Sequence, residues 1–263
     1  MTLLHRVLFV ACRSPRTGTI YPVARLIERD HSPRFELVHV QGARAAEEEG
    51  SIPFIEFPDL DRVYTSDELF PLFGNRLMPR RRAEYRDFVA RLALPQELEA
   101  PIPILARTAG RRETDQIEVF GFPRFDPQRG CFVYLFFLRG VRHVPGAEER
   151  IIGLADGERL ALRRQPDNPV SSLAIVVDSE GGGELGWVPA TLTEDLDVLM
   201  RTGSNLTVYV ERRNLAPAPL HQRLLCRLEA TAVEGFLPFS SPAYEPIPSG
   251  ATALDVDKTE LVA

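Results

Sequence analysis

The stretch "GERLALRRQPDNPVSSLAIVV", residues 157–177, sets two strand-like runs on either side of a rigid corner. "RLALR" (159–163) and "LAIVV" (173–177) read as strands, and Gln165, Pro166, Asp167, Asn168 and Pro169 make the polar turn between them. Asn168 precedes a proline. Its backbone is therefore pushed to an extended conformation, and its amide is left to bond nearby groups. Such a corner is either a plain turn or the rim of a binding site.

Outward from this corner the pattern stays mostly β. "CFVYLFFL" (131–138) is apolar at nearly every position, which predicts a strand buried on both faces. "ELGWV" (184–188), "LTVYVER" (206–212) and "RLLCRLEA" (223–230) add strands. "EGGGE" (180–184) falls between two strands and reads as a hairpin turn rather than a phosphate cradle. One helix interrupts, with Thr193 as its cap and Gly203 at its end.

Upstream, "RVLFV" (6–10), "IYPVARLI" (20–27), "RFELVHV" (34–40) and "QIEVFGF" (116–122) read as strands, and "GARAAEEEG" (42–50) as a polar loop or a single helical turn. Between them lies a helical block. Ser66 is the expected N-cap of a helix over 65–79, with Leu69, Phe70, Phe73 and Leu77 on one face and a kink or restart at Pro71. A second helix is predicted over 80–94 and a third over 101–110, with Pro103 near its start and Gly110 beyond its end. The break "PRFDPQRG" (123–130) marks a domain boundary. The expected fold class is α+β: an α+β domain at 1–126, a mainly β domain at 127–236, and a proline-rich, flexible tail at 237–263.

The chain has 263 residues, with 31 basic against 37 acidic side chains and a formal net charge of −6. That argues against generic electrostatic binding to nucleic acid or an anionic membrane, so any such contact must be local. Lys258 is the only lysine. A P-loop, a kinase strand lysine and a Schiff-base lysine in the folded part are thereby removed. The five histidines (5, 31, 39, 143 and 221) show no ligand spacing, and Asp59 and Asp61 read as loop residues, so neither metal nor cofactor is expected. Cys12, Cys131 and Cys226 lie far apart in apolar runs and read as buried thiols of a reducing, cytoplasmic protein. No apolar run reaches membrane length, and the N-terminus lacks signal-peptide form.

"FLRGVRHVPG" (137–146), "GERLALRRQPDNPVSSLAIVV" (157–177) and "GELGWVPATLTEDLDVLM" (183–200) together resemble the HIRAN domain over residues 130–232. The resemblance implies a small β-barrel, related in shape to OB-folds, that binds the 3′ end of single-stranded DNA. Arg142 matches a family arginine that approaches the nucleotide backbone, and Asn168 an asparagine beside the DNA end. His143 and Val144 stand where the DNA-binding form has two aromatics, and Ser171 where it has an aspartate aimed at the terminal hydroxyl. Trp187 occupies a position facing the site, as a stacking platform or as a core residue. The plain alternatives are a turn residue for Asn168 and a surface ion-pair partner for Arg142.

Residues 64–122 resemble the N-terminal subdomain of HipA-type toxins through Phe73, Asn75, Leu77, Pro79, Gly110 and Arg111, with the kinase core missing. The resemblance implies a docking face for a protein partner. Arg80, Arg81, Arg82, Arg111 and Arg112 form a candidate phosphate patch, against the alternative of a solvated face paired with Glu84 and Asp87. Three arginines at a predicted helix start oppose the helix dipole, which points to another partner. The expected function is a non-catalytic nucleic-acid-binding module for single-stranded DNA or a DNA 3′ end, linked to DNA repair or defence. The alternative is a protein–protein adaptor.

Overall fold

The computed structural model describes residues 6–51, 54–112 and 114–247. Two compact units divide them. The first takes the residues up to Tyr85, Leu94–Phe122 and those from Leu237 onward. The second takes Arg86–Ala93 and Pro123–Phe236.

The first unit is built on an antiparallel five-stranded sheet. Its strands are β1 (Val7–Arg13), β2 (Ile20–Glu28), β3 (Phe35–His39), β4 (Tyr64–Ser66) and β5 (Ile117–Gly121), in the order β4-β3-β2-β1-β5. Helices α1 (Gly42–Glu48), α2 (Pro71–Gly74) and α4 (Pro101–Thr108) belong to this unit, whereas most of α3 (Tyr85–Arg91) belongs to the second. β1 lies between β2 and β5 and is buried almost throughout because both its faces are covered. Leu8, Val10 and Cys12 point into a core with Ala43 and Ala46 of α1, Phe73 of α2, and Ile102 and Leu105 of α4. Phe9, on the opposite face, meets Phe120, Phe122, Phe239 and Tyr244.

That second face overturns the expected flexible tail over residues 237–247. Phe239, Tyr244 and Ile247 are buried, Ile247 N donates to His39 O at 2.9 Å, and Pro246 bridges Val40. An apolar sheet face must be covered, and Phe239 and Tyr244 cover it, while Ile247 joins the core on the first face. The rest of the expected tail, 248–263, lies outside the described residues.

The helical block is shorter than its apolar spacing predicts. Tyr64–Ser66 pairs with β3, so Ser66 caps no helix; its Oγ accepts from Glu68 N at 3.1 Å in a local turn. α2 starts at Pro71, whose missing N–H is harmless only in a first turn. Phe70 and Phe73 still enter the core, with Leu69 and Leu77 packed against it. The arginine run does not open a helix either. Arg82 N donates to Pro79 O and Tyr85 N to Arg82 O, so Arg80–Arg82 sit in a turn ahead of α3. The dipole argument therefore falls. α4 follows its prediction, ending on left-handed Ala109 and Gly110. "GARAAEEEG" holds the two-turn helix α1 rather than a loop or a single turn.

The second unit carries an antiparallel seven-stranded sheet. Its strands are β6 (Arg124–Asp126), β7 (Cys131–Phe137), β8 (Arg159–Arg164), β9 (Ile175–Ser179), β10 (Glu184–Trp187), β11 (Leu206–Arg213) and β12 (Leu224–Thr231), ordered β10-β9-β8-β11-β12-β7-β6. "EGGGE" forms the β9–β10 hairpin. Two helices interrupt the strands where one was expected. α5 (Ala147–Gly153) was not anticipated, and α6 (Thr193–Arg201) was. Thr193 does not cap α6, since its hydroxyl donates back to Ala190 O at 3.0 Å.

The expected closed barrel is not formed among the described residues. The sheet is an open ladder whose far sides meet at one isolated bridge, Arg139 to Trp187, with N···O distances of 2.8 and 2.9 Å. Pairing stops there because Gly140, at φ 71°, turns the chain into a 3-10 turn (Val141–His143).

Candidate nucleic-acid interface

β8 runs into the proline corner, and β9 leaves it. Gln165 N donates to Ala174 O at 2.9 Å, Ala174 N to Ser171 O at 3.1 Å, and Asn168 N to Gln165 O at 3.1 Å. Asn168 Oδ1 accepts from Val170 N at 2.9 Å and Ser171 N at 3.3 Å, folding the chain back after Pro169. Its Nδ2 donates to Gln165 Oε1 at 2.8 Å. Asn168 is therefore a turn-building residue, half-buried, with one amide proton left over.

Gln165 also receives the indole. Trp187 Nε1 donates to the same Gln165 Oε1 at 2.8 Å. One side-chain oxygen thus ties the corner to β10. The indole also lies on Gly140: a Cβ there would stand 2.5 Å from Trp187 Cε3 and 2.8 Å from Cζ3. Gly186 has a matching constraint, since a Cβ there would come within 2.3 Å of Arg139 O. Two glycines make room for the strand bridge and the ring. Trp187 remains half-buried, neither sealed in the core nor free.

Two residues past Gly140, Arg142 is exposed, and its Nε donates to His143 Nε2 at 3.0 Å. Its terminal guanidinium nitrogens have no partner among the described residues. Neighbouring cations are committed elsewhere: Arg163 to Asp178 and Glu184, Arg164 to Asp197, and Arg150 to Glu184 O. Val144, in place of a second aromatic, is buried and offers no platform. Ser171 is half-buried, and its Oγ accepts from Leu173 N at 3.2 Å, which leaves its proton and a lone pair.

Trp187 thus touches Gly140, at the start of the Arg142–His143 turn, and shares Gln165 with Asn168, which folds Ser171 into the corner. Sequence reasoning missed Gln165, because nothing in its neighbourhood marks a side chain that accepts two bonds. It also passed over Gly140 and Gly186, although a glycine inside or beside a strand is a usual mark of close backbone approach. Burial pushes the thiol of Cys226 up, and burial followed by Asp115 does the same for Cys12. Among the described residues no cluster of His, Cys, Asp or Glu fits a metal ion, and no helix is long and apolar enough to cross a membrane.

The antiparallel β unit thus carries a polar corner, a half-buried indole and an arginine that has no ion-pair partner among the described residues. Residues 131–231 match the family model of the HIRAN domain, so this part of the chain is a HIRAN domain. Two solved structures are similar over 38% of the chain. One is a protein from Lactobacillus plantarum, 21% identical, covered over 97% of its length at a TM-score of 0.32. The other is the HIRAN domain of human HLTF, 22% identical, covered over 73% of its length at a TM-score of 0.28. No curated protein matches the chain. None of these comparisons supports the likeness of residues 64–122 to the HipA N-terminal subdomain.

Proposed function

We propose that this protein is a non-catalytic nucleic-acid-binding protein whose HIRAN domain takes the 3′ end of single-stranded DNA at the rim formed by Arg142, His143, Asn168, Ser171 and Trp187. The observation that carries the reading is the double acceptance at Gln165, which fixes Trp187 and Asn168 together. The Trp187 contact with Gly140 sets the Arg142 turn at the same place. Arg142 supplies a charged fork for a phosphate oxygen. The half-buried indole and the exposed imidazole supply stacking, worth ~1–3 kcal/mol per base. Ser171 meets the terminal hydroxyl without charge assistance. A role in DNA repair or defence follows from this reading.

Fluorescence anisotropy with a short labelled single strand, its 3′ end free or phosphorylated, tests the reading. The free end is expected to bind more tightly. Arg142→Ala should cost about 1.5–3 kcal/mol of binding, roughly tenfold or more. Trp187 is the only tryptophan, so its emission should change on binding the wild type. Equal, weak binding to both strands that vanishes at moderate salt would overturn the end-reading. Asn168→Ala is the poorer variant, because it also removes the two backbone bonds that shape the corner.

A further inference from the structure

Arg76 is buried at the centre of a local staple in the first unit. Its guanidinium pairs with both Asp115 oxygens, at 2.6 and 3.2 Å, donates to Gly110 O at 2.7 Å, and donates through Nε to Leu72 O at 3.0 Å. Gly110, at φ 53°, is tightly enclosed: a Cβ would lie 3.0 Å from Val119 Cγ2 and 3.3 Å from Arg76 Cδ. The staple holds the segment before Arg80–Arg82 against the segment before Arg111–Arg112. These five arginines do not share one fate. Arg80 donates to Glu99 O at 2.9 Å, and Arg111 pairs with Glu118 at 3.2 Å. Arg81, Arg82 and Arg112 are exposed and have no ion-pair partner among the described residues. Glu84 and Asp87, the acids that follow Arg81 and Arg82 along the chain, form no ion pair with them among the described residues.

We propose that Arg81, Arg82 and Arg112 form a second contact surface, for the phosphate backbone of single-stranded nucleic acid away from its end. The proposal rests on the DNA-end reading for its choice of partner. Three guanidiniums on stapled segments, without an ion-pair partner among the described residues, are a local positive field in a chain of net charge −6. Guanidinium forks match phosphate oxygens, and each phosphate contact releases counterions, so the surface has a signature that end recognition lacks. It lowers affinity with salt and is indifferent to the chemistry of the 3′ end.

The test uses the full chain with a labelled oligonucleotide, measuring affinity across a salt series for wild type and for the Arg81→Ala/Arg82→Ala double variant. The expected result is a fall of about 1.4 in the slope of log affinity against log salt, at about 0.7 per lost single-strand contact. The ratio of free-end to phosphorylated-end binding should stay unchanged. Arg16→Ala, which removes another exposed arginine of the first unit, should leave the slope alone. An unaltered slope in the double variant, or an equal fall in Arg16→Ala, overturns the proposal. So does binding to phosphatidylserine vesicles that the double variant loses while its DNA slope holds. Wild-type discrimination of the 3′ end with no slope change sinks this surface alone. A lowered slope without any end discrimination sinks the end-reading and keeps the surface.

Discussion

The side-chain oxygen of Gln165 accepts from donors 3 and 22 residues away, so replacing it removes two bonds at once. Gln165→Leu keeps the bulk and leaves the indole N–H and the Asn168 amide without an acceptor. Each half-buried donor so stranded costs about 1–3 kcal/mol. The variant should melt earlier, and its Trp187 emission should shift. An unchanged spectrum would mean that the indole is not held by this bond. His39 offers a separate test. It is fully buried beside Phe54 and Tyr64, neither ring nitrogen has a partner, and burial pulls its pKa down to about 4. The unfolded chain, titrating near 6.5, binds a proton that the folded chain refuses. The contribution is complete above about pH 6.5 and is lost as pH falls towards about 4, to the order of 3 kcal/mol. His39→Leu should flatten the acid limb of the urea midpoint between about pH 7 and 5, while the wild type weakens. Parallel curves for the two proteins would count against it. The sequence showed His39 only as one of five histidines without ligand spacing, because its burial depends on pairings between β2, β3 and β4.

Strands were more legible than helices, and the reason is local. "CFVYLFFL" became β7, with both faces buried, because a strand that is apolar at every position has few alternatives. The predicted helix over 65–79 failed at Ser66, where pairing with β3 outweighed a plausible cap, and at Pro71, where a helix can only begin. The strand set of the HIRAN domain was readable, but the openness of its sheet was not, since its far sides meet only at the bridge between Arg139 and Trp187. Gly186 controls the bridge. Its φ of 152° disfavours other residues, and any Cβ would collide with Arg139 O. Gly186→Ala should therefore part β10 from the end of β7 and cost about 2–3 kcal/mol. Hydrogen exchange at Arg139 and Trp187, whose amides donate across the bridge, should quicken more than exchange in β11 and β12. Uniform protection in both places would show that the bridge does not depend on this glycine.

At the scale of the whole chain, the first unit is discontinuous. The chain leaves it briefly at Arg86–Ala93 and again after Phe122, builds the unit that holds the HIRAN domain, and returns at Leu237. Composition alone hid the return, because four prolines and little periodicity after residue 236 read as a tail. The physical need was nonetheless present in β1, whose alternate residue Phe9 requires a cover that no predicted helix was placed to give. Phe239 stands 5.3 Å from Phe9, 5.1 Å from Phe120 and 5.7 Å from Phe122, ring centre to ring centre. Tyr244 adds a contact to Phe9 at 4.9 Å, and its carbonyl accepts from the buried Arg25. A buried Phe→Ala change costs about 3–5 kcal/mol, against about 5–15 kcal/mol for a whole domain. Phe239→Ala should therefore leave the first unit folded but clearly weakened. Truncation after Phe236 also removes Tyr244, the backbone bonds at Gln41 and Ile247, and the bridge at Val40, and should unfold that unit. The second unit, which ends at Phe236 and holds the HIRAN domain, should keep its own cooperative melting transition, followed by the emission of Trp187. A truncated chain that keeps native amide protection in β1 and β2 would show that residues 237–247 rest on the sheet without holding it.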